Sequence, residues 1–204
     1  MSTEVKTKEK VDMDPKYIIK LTVTLFITCV IVAGALGFVN SVTEGPIEAA
    51  NLEKTNAALA SVFQEASAPE FPELEVTGDM TAAAAGYSTT VENVYEAKDG
   101  GQTIGCAVKI VASGSQGNIE MVVGVDADGA VTGVSIVSNS ETSGIGSKVM
   151  NNENGVLDQF IGKNADGGAL VVGTNVDAIS GATVSSRGVT AGVNGALAVA
   201  GVIG

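Results

Sequence analysis

The feature that most constrains this chain is an uncharged apolar run near its N-terminus. Residues from Leu21 to Val39 read LTVTLFITCVIVAGALGFV and include no charged side chain. As an α-helix this run is about 28 Å long at a rise of 1.5 Å per residue, close to the hydrocarbon thickness of a bilayer. In lipid, a single segment satisfies all its backbone hydrogen-bonding groups only as a helix. The sequence therefore predicts a transmembrane helix over 21–39, with the lipid bilayer as a partner.

A cleaved signal peptide is the alternative interpretation of the same run. A basic stretch precedes it, and Ala33-Gly34-Ala35 fits the A-x-A cleavage pattern. However, the apolar character continues through Leu36 and Phe38, and the polar lead is long for a signal peptide. We therefore expect a retained anchor.

Lysines before the run predict its orientation. Five of the 11 basic residues of the chain precede Leu21, namely Lys6, Lys8, Lys10, Lys16 and Lys20. Because positive loops remain in the cytoplasm, we expect residues 1–20 to form a cytoplasmic basic tail. The chain is then a single-pass protein of the inner (cytoplasmic) membrane, and everything after Asn40 is extracytoplasmic.

Composition excludes several classes of function. The chain has 23 acidic and 11 basic residues, a net charge of −12, so a general nucleic-acid binder is excluded and no nucleic acid is expected as a partner. It has no histidine, which excludes a Ser-His or Cys-His pair, a His-ligated zinc site and a His-ligated haem. Cys29 and Cys106 cannot hold a metal or a cluster without further ligands. We therefore predict neither catalytic nor metal-binding residues.

Hydrophobic patterning after the run predicts an α+β fold with a mixed, mainly antiparallel sheet and flanking helices. Alternating residues predict four strands, at Val91–Ala97, Thr103–Val111, Ile119–Val125 and Ala130–Val137. Helical spacing predicts three helices, at Glu44–Ser67 with Pro46 in its first turn, at Val149–Ile161 with an interruption at Asn154-Gly155, and at Val184–Val202. The predicted organisation is a connecting helix over 40–72 and a folded domain over 73–204.

One segment, Asp177-Ala-Ile-Ser-Gly-Ala-Thr-Val-Ser-Ser186, combines small residues and hydroxyls just before a predicted helix. Free backbone N–H groups and the positive end of the helix dipole at such a place suit a phosphate group. An ordinary N-cap is the alternative, because serine and threonine are common there in any case.

This segment resembles the flavinylation motif of the FMN-binding domain family. That family includes the G subunit of Rnf complexes and the C subunit of sodium-pumping NADH:quinone oxidoreductases. Further similarities are the loop from Glu141 to Gly146, which resembles the family's E-T-P-G-L-G, the strand pair over 122–137, and Asp158-Gln159-Phe160. The resemblance covers roughly residues 17–200 and favours the RnfG type.

The resemblance implies a set of cofactor-binding residues. Thr183 corresponds to the threonine that carries FMN through a phosphoester, and Ser180, Gly181 and Ala182 are its neighbours in the motif. Glu141, Thr142 and Gly144 are implied as residues of a loop that contacts the flavin. Asp177 is implied in recognition by the attaching enzyme.

The sequence also departs from the family's pattern in two places. Ser143 and Ile145 replace the usual proline and leucine, and the family's Gly-Tyr-Gly-Gly loop is here Gly114-Ser115-Gln116-Gly117.

The implied function is electron relay by covalent FMN in an Rnf-type ferredoxin:NAD⁺ oxidoreductase complex coupled to Na⁺ or H⁺ translocation. Its implied partners are the other membrane subunits and a flavin transferase of the ApbE type, and no independent turnover is expected. One alternative is the C-type subunit of the sodium-pumping NADH:quinone oxidoreductase. Another is an anchored extracytoplasmic binding module without redox chemistry, in which the Ser180–Thr183 turn is a plain helix cap.

Overall fold

The computed structural model describes residues 15–203, apart from the side chain of Asn154. Contacts divide the chain into two compact units, with the boundary between Ala50 and Asn51. The predicted basic tail over 1–20 falls only partly on the described residues: Lys6, Lys8 and Lys10 lie outside them, whereas Lys16 and Lys20 belong to a helix.

The first unit consists of the larger part of one long helix, α1, which extends from Pro15 to Val62. Its most apolar stretch has a mean hydropathy of 2.3, and none of that stretch is buried within the protein. By length and composition this helix can cross a membrane. Thr22, Thr24 and Thr28 each donate a hydrogen bond to the carbonyl oxygen four residues earlier, so their hydroxyls are satisfied on an otherwise apolar surface.

The prediction of a separate helix from Glu44 to Ser67 is wrong at both ends. Helix α1 passes through Pro46 without a break and ends at Val62. An internal proline removes one backbone donor and costs about 3 kcal/mol, but the helix continues after it through Glu48, Ala49 and Ala50, which are good helix formers. After the helix, the Asp99 carboxylate accepts hydrogen bonds from the backbone N–H groups of Ser67 and Ala68 at 3.1 and 2.9 Å, which fixes the chain in a turn.

The second unit is built on a six-stranded sheet. Its strands are β1 (Pro69–Glu70), β2 (Glu73–Leu74), β3 (Thr89–Asp99), β4 (Gln102–Ser113), β5 (Asn118–Asp126) and β6 (Val131–Asn139). The order is β1-β3-β4-β5-β6, with β2 also paired to β3, and every pair is antiparallel. The α+β prediction is confirmed, and the four predicted strands match β3–β6. The described residues contain one parallel pairing, an isolated bridge between Val172 and Val176.

Two helices cover one face of this sheet: α2 (Gly78–Ala85) and α4 (Thr183–Ile203). The core between them includes Ile110, Met121 and Val193, all fully buried. Glycines let α4 lie close to the strands: a Cβ on Gly188 would sit 2.5 Å from the carbonyl oxygen of Ser113. The hydrophobic pattern over 73–87 predicts no helix or strand, so α2 is seen only in the structure.

The last turns of α1, which belong to the second unit, cover the other face. Ala58, Leu59, Val62 and Phe63 form a second core with Ala97, Ala107, Val122 and Val137 of the sheet. Val62 lies over Gly124 and Gly133, which are partners across β5 and β6. A Cβ on Gly133 would lie 3.0 Å from the Cα of Val62, so this glycine pair lets the helix backbone approach the sheet closely.

The predicted helix at Val149–Ile161, expected to be interrupted at Asn154-Gly155, is broken into more pieces than predicted. The structure has α3 (Ser147–Met150) and two single turns of 3₁₀ helix, Glu153–Gly155 and Asp158–Phe160. Asn152 and Gly155 have φ angles of 53° and 70°, in the left-handed region that interrupts a right-handed helix. Phe160, only 1% exposed, anchors the segment in the core.

Candidate functional site

The predicted flavinylation motif forms a tight turn that leads directly into α4. The backbone N–H of Ala182 donates to the carbonyl oxygen of Ile179 at 2.9 Å. Gly181 has a φ of 82°, which the third position of a type II turn requires and which glycine adopts without strain. Thr183 is the first residue of α4, and its side chain is exposed. The turn therefore presents the Thr183 hydroxyl to solvent.

Three backbone N–H groups at this end of α4 have no partner in the described part of the chain. Those of Thr183, Val184 and Ser185 donate to no acceptor among residues 15–203, whereas the next N–H, of Ser186, donates to the carbonyl oxygen of Ala182. An ordinary N-cap fits poorly, because the residue before the helix is Ala182, which has no side-chain oxygen. The positive end of α4 is thus available to an anion beside Thr183.

Two polar side chains hold the turn in place: Ser186, which belongs to the predicted segment, and Gln159, which the sequence analysis did not assign to the site. The Ser186 hydroxyl accepts from the N–H of Ile179 at 3.3 Å and donates to the carbonyl oxygen of Ala182 at 3.1 Å. The Gln159 side chain accepts from the N–H of Asp177 at 2.6 Å and donates to its carbonyl oxygen at 3.0 Å. Gln159 had a signal in the sequence, the Asp158-Gln159-Phe160 similarity, but its role appears only in three dimensions.

Glu141 connects the predicted flavin-contacting loop to α4. One carboxylate oxygen accepts from the Ser185 hydroxyl at 2.8 Å. The other accepts from the backbone N–H groups of Ser115 and Gln116 at 2.6 and 3.4 Å. Glu141 therefore lies beside the motif, since Ser185 is two residues from Thr183, and its contact with a flavin stays a prediction.

Thr142 and Gly144 are exposed and take part in hydrogen bonds within their own loop. The carbonyl oxygen of Thr142 accepts from the N–H groups of Ile145 and Ser147, both at 3.3 Å, and the N–H of Gly144 donates to the Ser147 hydroxyl at 2.8 Å. Within the described part of the chain, no hydrogen bond joins either residue to the turn over 180–183. Their contact with a flavin stays a prediction.

A cleft of about 430 Å³ borders the motif and is lined by Lys148, Gln159, Asp177 and Ser180, among others. Arg187 lies one helical turn after Thr183 and is exposed, so it shares the face of α4 that carries the Thr183 hydroxyl. Neither Lys148 nor Arg187 forms an ion pair with a described residue. Both cations thus remain available to an anionic ligand.

Comparison with known proteins identifies the domain and the family. Residues 114–198 match the family model of the FMN-binding domain. Over 201 residues, the chain is 36% identical to the G subunit of the Na(+)-translocating ferredoxin:NAD(+) oxidoreductase complex of Acetobacterium woodii, and the alignment covers 93% of this chain and 95% of that protein. The chain belongs to this family of G subunits.

Two further proteins are similar to the chain. The G subunit of the ion-translocating oxidoreductase complex of Methanosarcina acetivorans is 28% identical to the chain, over 90% of this chain and 95% of that protein. The crystal structure of NqrC from Shewanella oneidensis is 25% identical, covers 60% of this chain and 62% of that one, and has a TM-score of 0.44.

FMN is the cofactor that this domain binds, and the described residues fit its phosphate end. They offer an exposed hydroxyl at Thr183, three unpaired N–H groups beside it, and the Arg187 side chain one turn away. A phosphodiester at that hydroxyl would keep one negative charge, which the helix terminus and a nearby cation favour.

Proposed function

We propose that Thr183 carries FMN covalently and that this G subunit relays electrons within an Rnf-type, ion-translocating ferredoxin:NAD⁺ oxidoreductase complex. The observation that carries the proposal is the exposed Thr183 hydroxyl at a helix terminus with unpaired N–H groups, inside a segment that matches the FMN-binding domain. The name of the Acetobacterium woodii relative supports the reaction class and the other subunits of the complex as partners.

Attachment is a phosphoryl-transfer step in which the Thr183 oxygen replaces AMP. The Thr183 Oγ1 attacks the flavin-side phosphorus of FAD, a new P–O bond forms to threonine, and the bond to AMP breaks. The hydroxyl proton is lost, and the products are the FMN phosphodiester of Thr183 and free AMP. The described residues include no cluster of three side chains suited to a metal ion. We therefore assign this step to a separate Mg²⁺-dependent flavin transferase of the ApbE type.

In the finished subunit the protein positions the cofactor and the flavin supplies the redox chemistry, accepting and releasing electrons. Gly181 shapes the turn, Ser186 and Gln159 fix it, and the helix terminus holds the phosphate. Ser180, Gly181 and Ala182 act as neighbours of the acceptor. We further propose that Glu141, Thr142 and Gly144 border the flavin, and that Asp177, which is exposed, is read by the transferase.

The covalent bond is tested by intact mass. The full chain, purified from a host with the transferase, should gain the mass of one FMN less one water. Thr183→Ala should abolish this gain, and Thr183→Ser, which keeps the hydroxyl, should retain it at least in part. The Thr183 side chain is exposed and makes no hydrogen bond within the described residues, so its removal should leave the circular dichroism spectrum unchanged. A Thr183→Ala chain that still carries covalent FMN would refute the assignment.

We propose that the chain crosses the inner membrane once. Residues 1–20 then lie in the cytoplasm and the FMN domain lies on the extracytoplasmic side. The lysines that precede the apolar run support this orientation. Protease added outside spheroplasts should digest the domain and spare an N-terminal tag. Protection of the domain from external protease would reverse the assignment.

The two alternatives have weaker support. The C-type subunit of the sodium-pumping NADH:quinone oxidoreductase shares the chemistry, but the relatives aligned over nearly the whole chain are named as G subunits. A binding module without redox chemistry does not account for the match to an FMN-binding domain. An absorbance in the flavin bands that survives denaturation is expected from covalent FMN and not from a binding module without redox chemistry, so it distinguishes the two.

A further inference from the structure

Both oxygens of the Glu141 carboxylate are engaged inside the protein. Oε1 accepts from the N–H groups of Ser115 and Gln116, and Oε2 accepts from the Ser185 hydroxyl. The carboxylate therefore joins three segments that are far apart in sequence: the β4–β5 loop, its own loop after β6, and the first turn of α4. Hydrogen bonds to an ionised carboxylate are among the stronger ones in proteins.

The backbone leaves room for this carboxylate by means of two glycines. A Cβ on Gly114 would collide with Oε1, and a Cβ on Gly146 would collide with Oε2. Each glycine belongs to one of the two loops that Glu141 joins. The side chain is thus enclosed from both sides, and its position is set by close packing as well as by hydrogen bonds.

The bond between Glu141 and Ser185 also restrains the position of Thr183. Ser185 is only 1% exposed and belongs to the same helical turn, so a fixed Ser185 also fixes the backbone that carries Thr183. The Thr183 side chain has no hydrogen bond to a described residue, so its hydroxyl stays free while its neighbours are held.

We propose that Glu141 is a positioning residue for flavin attachment. It holds Ser185, and through it the first turn of α4, so that the Thr183 hydroxyl meets the flavin-side phosphate of FAD in one orientation. The inference rests on the proposed function, namely covalent FMN at Thr183. It differs from a direct contact between Glu141 and the flavin in that it requires Ser185 as an intermediate.

The test uses the full-length chain with purified flavin transferase, FAD and Mg²⁺, and measures the rate of FMN attachment against FAD concentration. We expect Glu141→Ala and Ser185→Ala each to lower the rate at saturating FAD by about 10-fold to 100-fold, because a displacement near 1 Å has effects of this size. The KM for FAD should not change, since the transferase binds FAD.

Three comparisons separate positioning from a general loss of structure. Glu141→Gln should attach FMN at close to the normal rate, because its amide oxygen can accept from the loop N–H groups while its NH₂ donates to Ser185. The double variant Glu141→Ala/Ser185→Ala should be no slower than Glu141→Ala alone, because both changes remove the same bond. Ser115→Ala is the matched control: Ser115 contributes only its backbone N–H to Glu141, so the rate should stay normal.

A readout without flavin completes the design. In the unmodified chain, amide hydrogen exchange at Ser186, whose N–H donates to the carbonyl oxygen of Ala182, should be faster in Glu141→Ala and Ser185→Ala, and normal in Ser115→Ala. A normal attachment rate in Glu141→Ala or Ser185→Ala, or unchanged exchange in either, would overturn the inference. Failure of the wild-type chain to accept FMN at Thr183 would instead refute the proposed function, and the exchange data would still report on the contact between Glu141 and Ser185.

Discussion

Replacing Gly188 by alanine probes how closely α4 must lie against the sheet that supports Thr183. The added Cβ would lie 2.5 Å from the carbonyl oxygen of Ser113 and 3.2 Å from the Cδ1 of Ile119. Real Cβ atoms essentially never approach another atom within 3.0 Å, so either α4 or the end of β4 has to move by at least half an ångström. The obstacle is backbone, which yields less readily than the tip of a flexible side chain.

The expected magnitude follows from two opposing terms. Overpacking a tight interior contact costs about 1–3 kcal/mol. Alanine is favoured over glycine inside a helix by about 0.8–1.0 kcal/mol, which offsets part of that cost. We therefore expect Gly188→Ala to destabilise the domain by up to about 2 kcal/mol.

Gly201→Ala is the matched control because Gly201 lies on the same helix and its Cβ would meet nothing within 4 Å. This variant should gain helix propensity with no packing cost. Thermal unfolding of the full chain in detergent should give a Gly188→Ala midpoint about 2–12 °C below that of Gly201→Ala. Equal midpoints would show that α4 does not pack against Ser113 as closely as described.

Two further predictions concern titrating groups in the same domain. Burial raises the pKa of the Cys106 thiol to about 11. In a Cys29→Ser background, iodoacetamide at about pH 8 should therefore label Cys106 only after unfolding, and rapid labelling of the native chain would contradict this. Hydrogen bonds from the N–H groups of Ala68 and Ser67 lower the pKa of Asp99 below its ordinary value of 3.8. The ionised Asp99 side chain therefore stabilises the fold at pH values above 3.8, and this contribution is lost as the pH falls through the pKa of the native state. Asp99→Asn should accordingly lower the unfolding temperature at about pH 6 and converge with wild type in acid, and an equal difference at both pH values would refute the linkage.

Helices and strands whose apolar residues recur at a regular spacing were predictable from the sequence. Alternation of apolar residues identified β3 to β6, and helical spacing identified α4 despite its glycines. The glycines lower helix propensity, but they also permit the close approach to the strands, so tertiary packing compensates for local preference. Helix α2 contains Met80 and four alanines, which mark no apolar face, and nothing in the pattern over 73–87 indicated it.

The continuity of α1 and the breaks after Met150 were harder to predict for opposite reasons. Proline at position 46 suggested a helix start, yet its local cost is too small to end a long helix. Between 150 and 161, apolar spacing suggested a helix and Asn154-Gly155 suggested an interruption in it. The left-handed Gly155 lies at that interruption, whereas the left-handed Asn152 adds a break that local composition does not reveal.

For the candidate site, the sequence suggested Thr183 as the acceptor, and the structure shows which residues support the turn before it. Thr183, Gly181 and Ala182 are contiguous, so a local motif was enough to select them. The bond between Glu141 and Ser185 joins residues 44 positions apart, and the bonds between Gln159 and Asp177 join residues 18 positions apart. Such pairs depend on how the loops meet in three dimensions, which hydrophobic periodicity does not encode.

The packing of Val62 over Gly124 and Gly133 bears on how a soluble version of this protein should be cut. Truncation at the predicted domain start, residue 73, would strip Leu59, Val62 and Phe63 from the sheet and leave Val122 and Val137 bare to water. The two glycines would then face solvent with nothing above them, in the middle of the hairpin formed by β5 and β6. An expression fragment that begins at Asn51 retains this covering and omits the apolar stretch, so it is the shorter form to crystallise or to load with flavin.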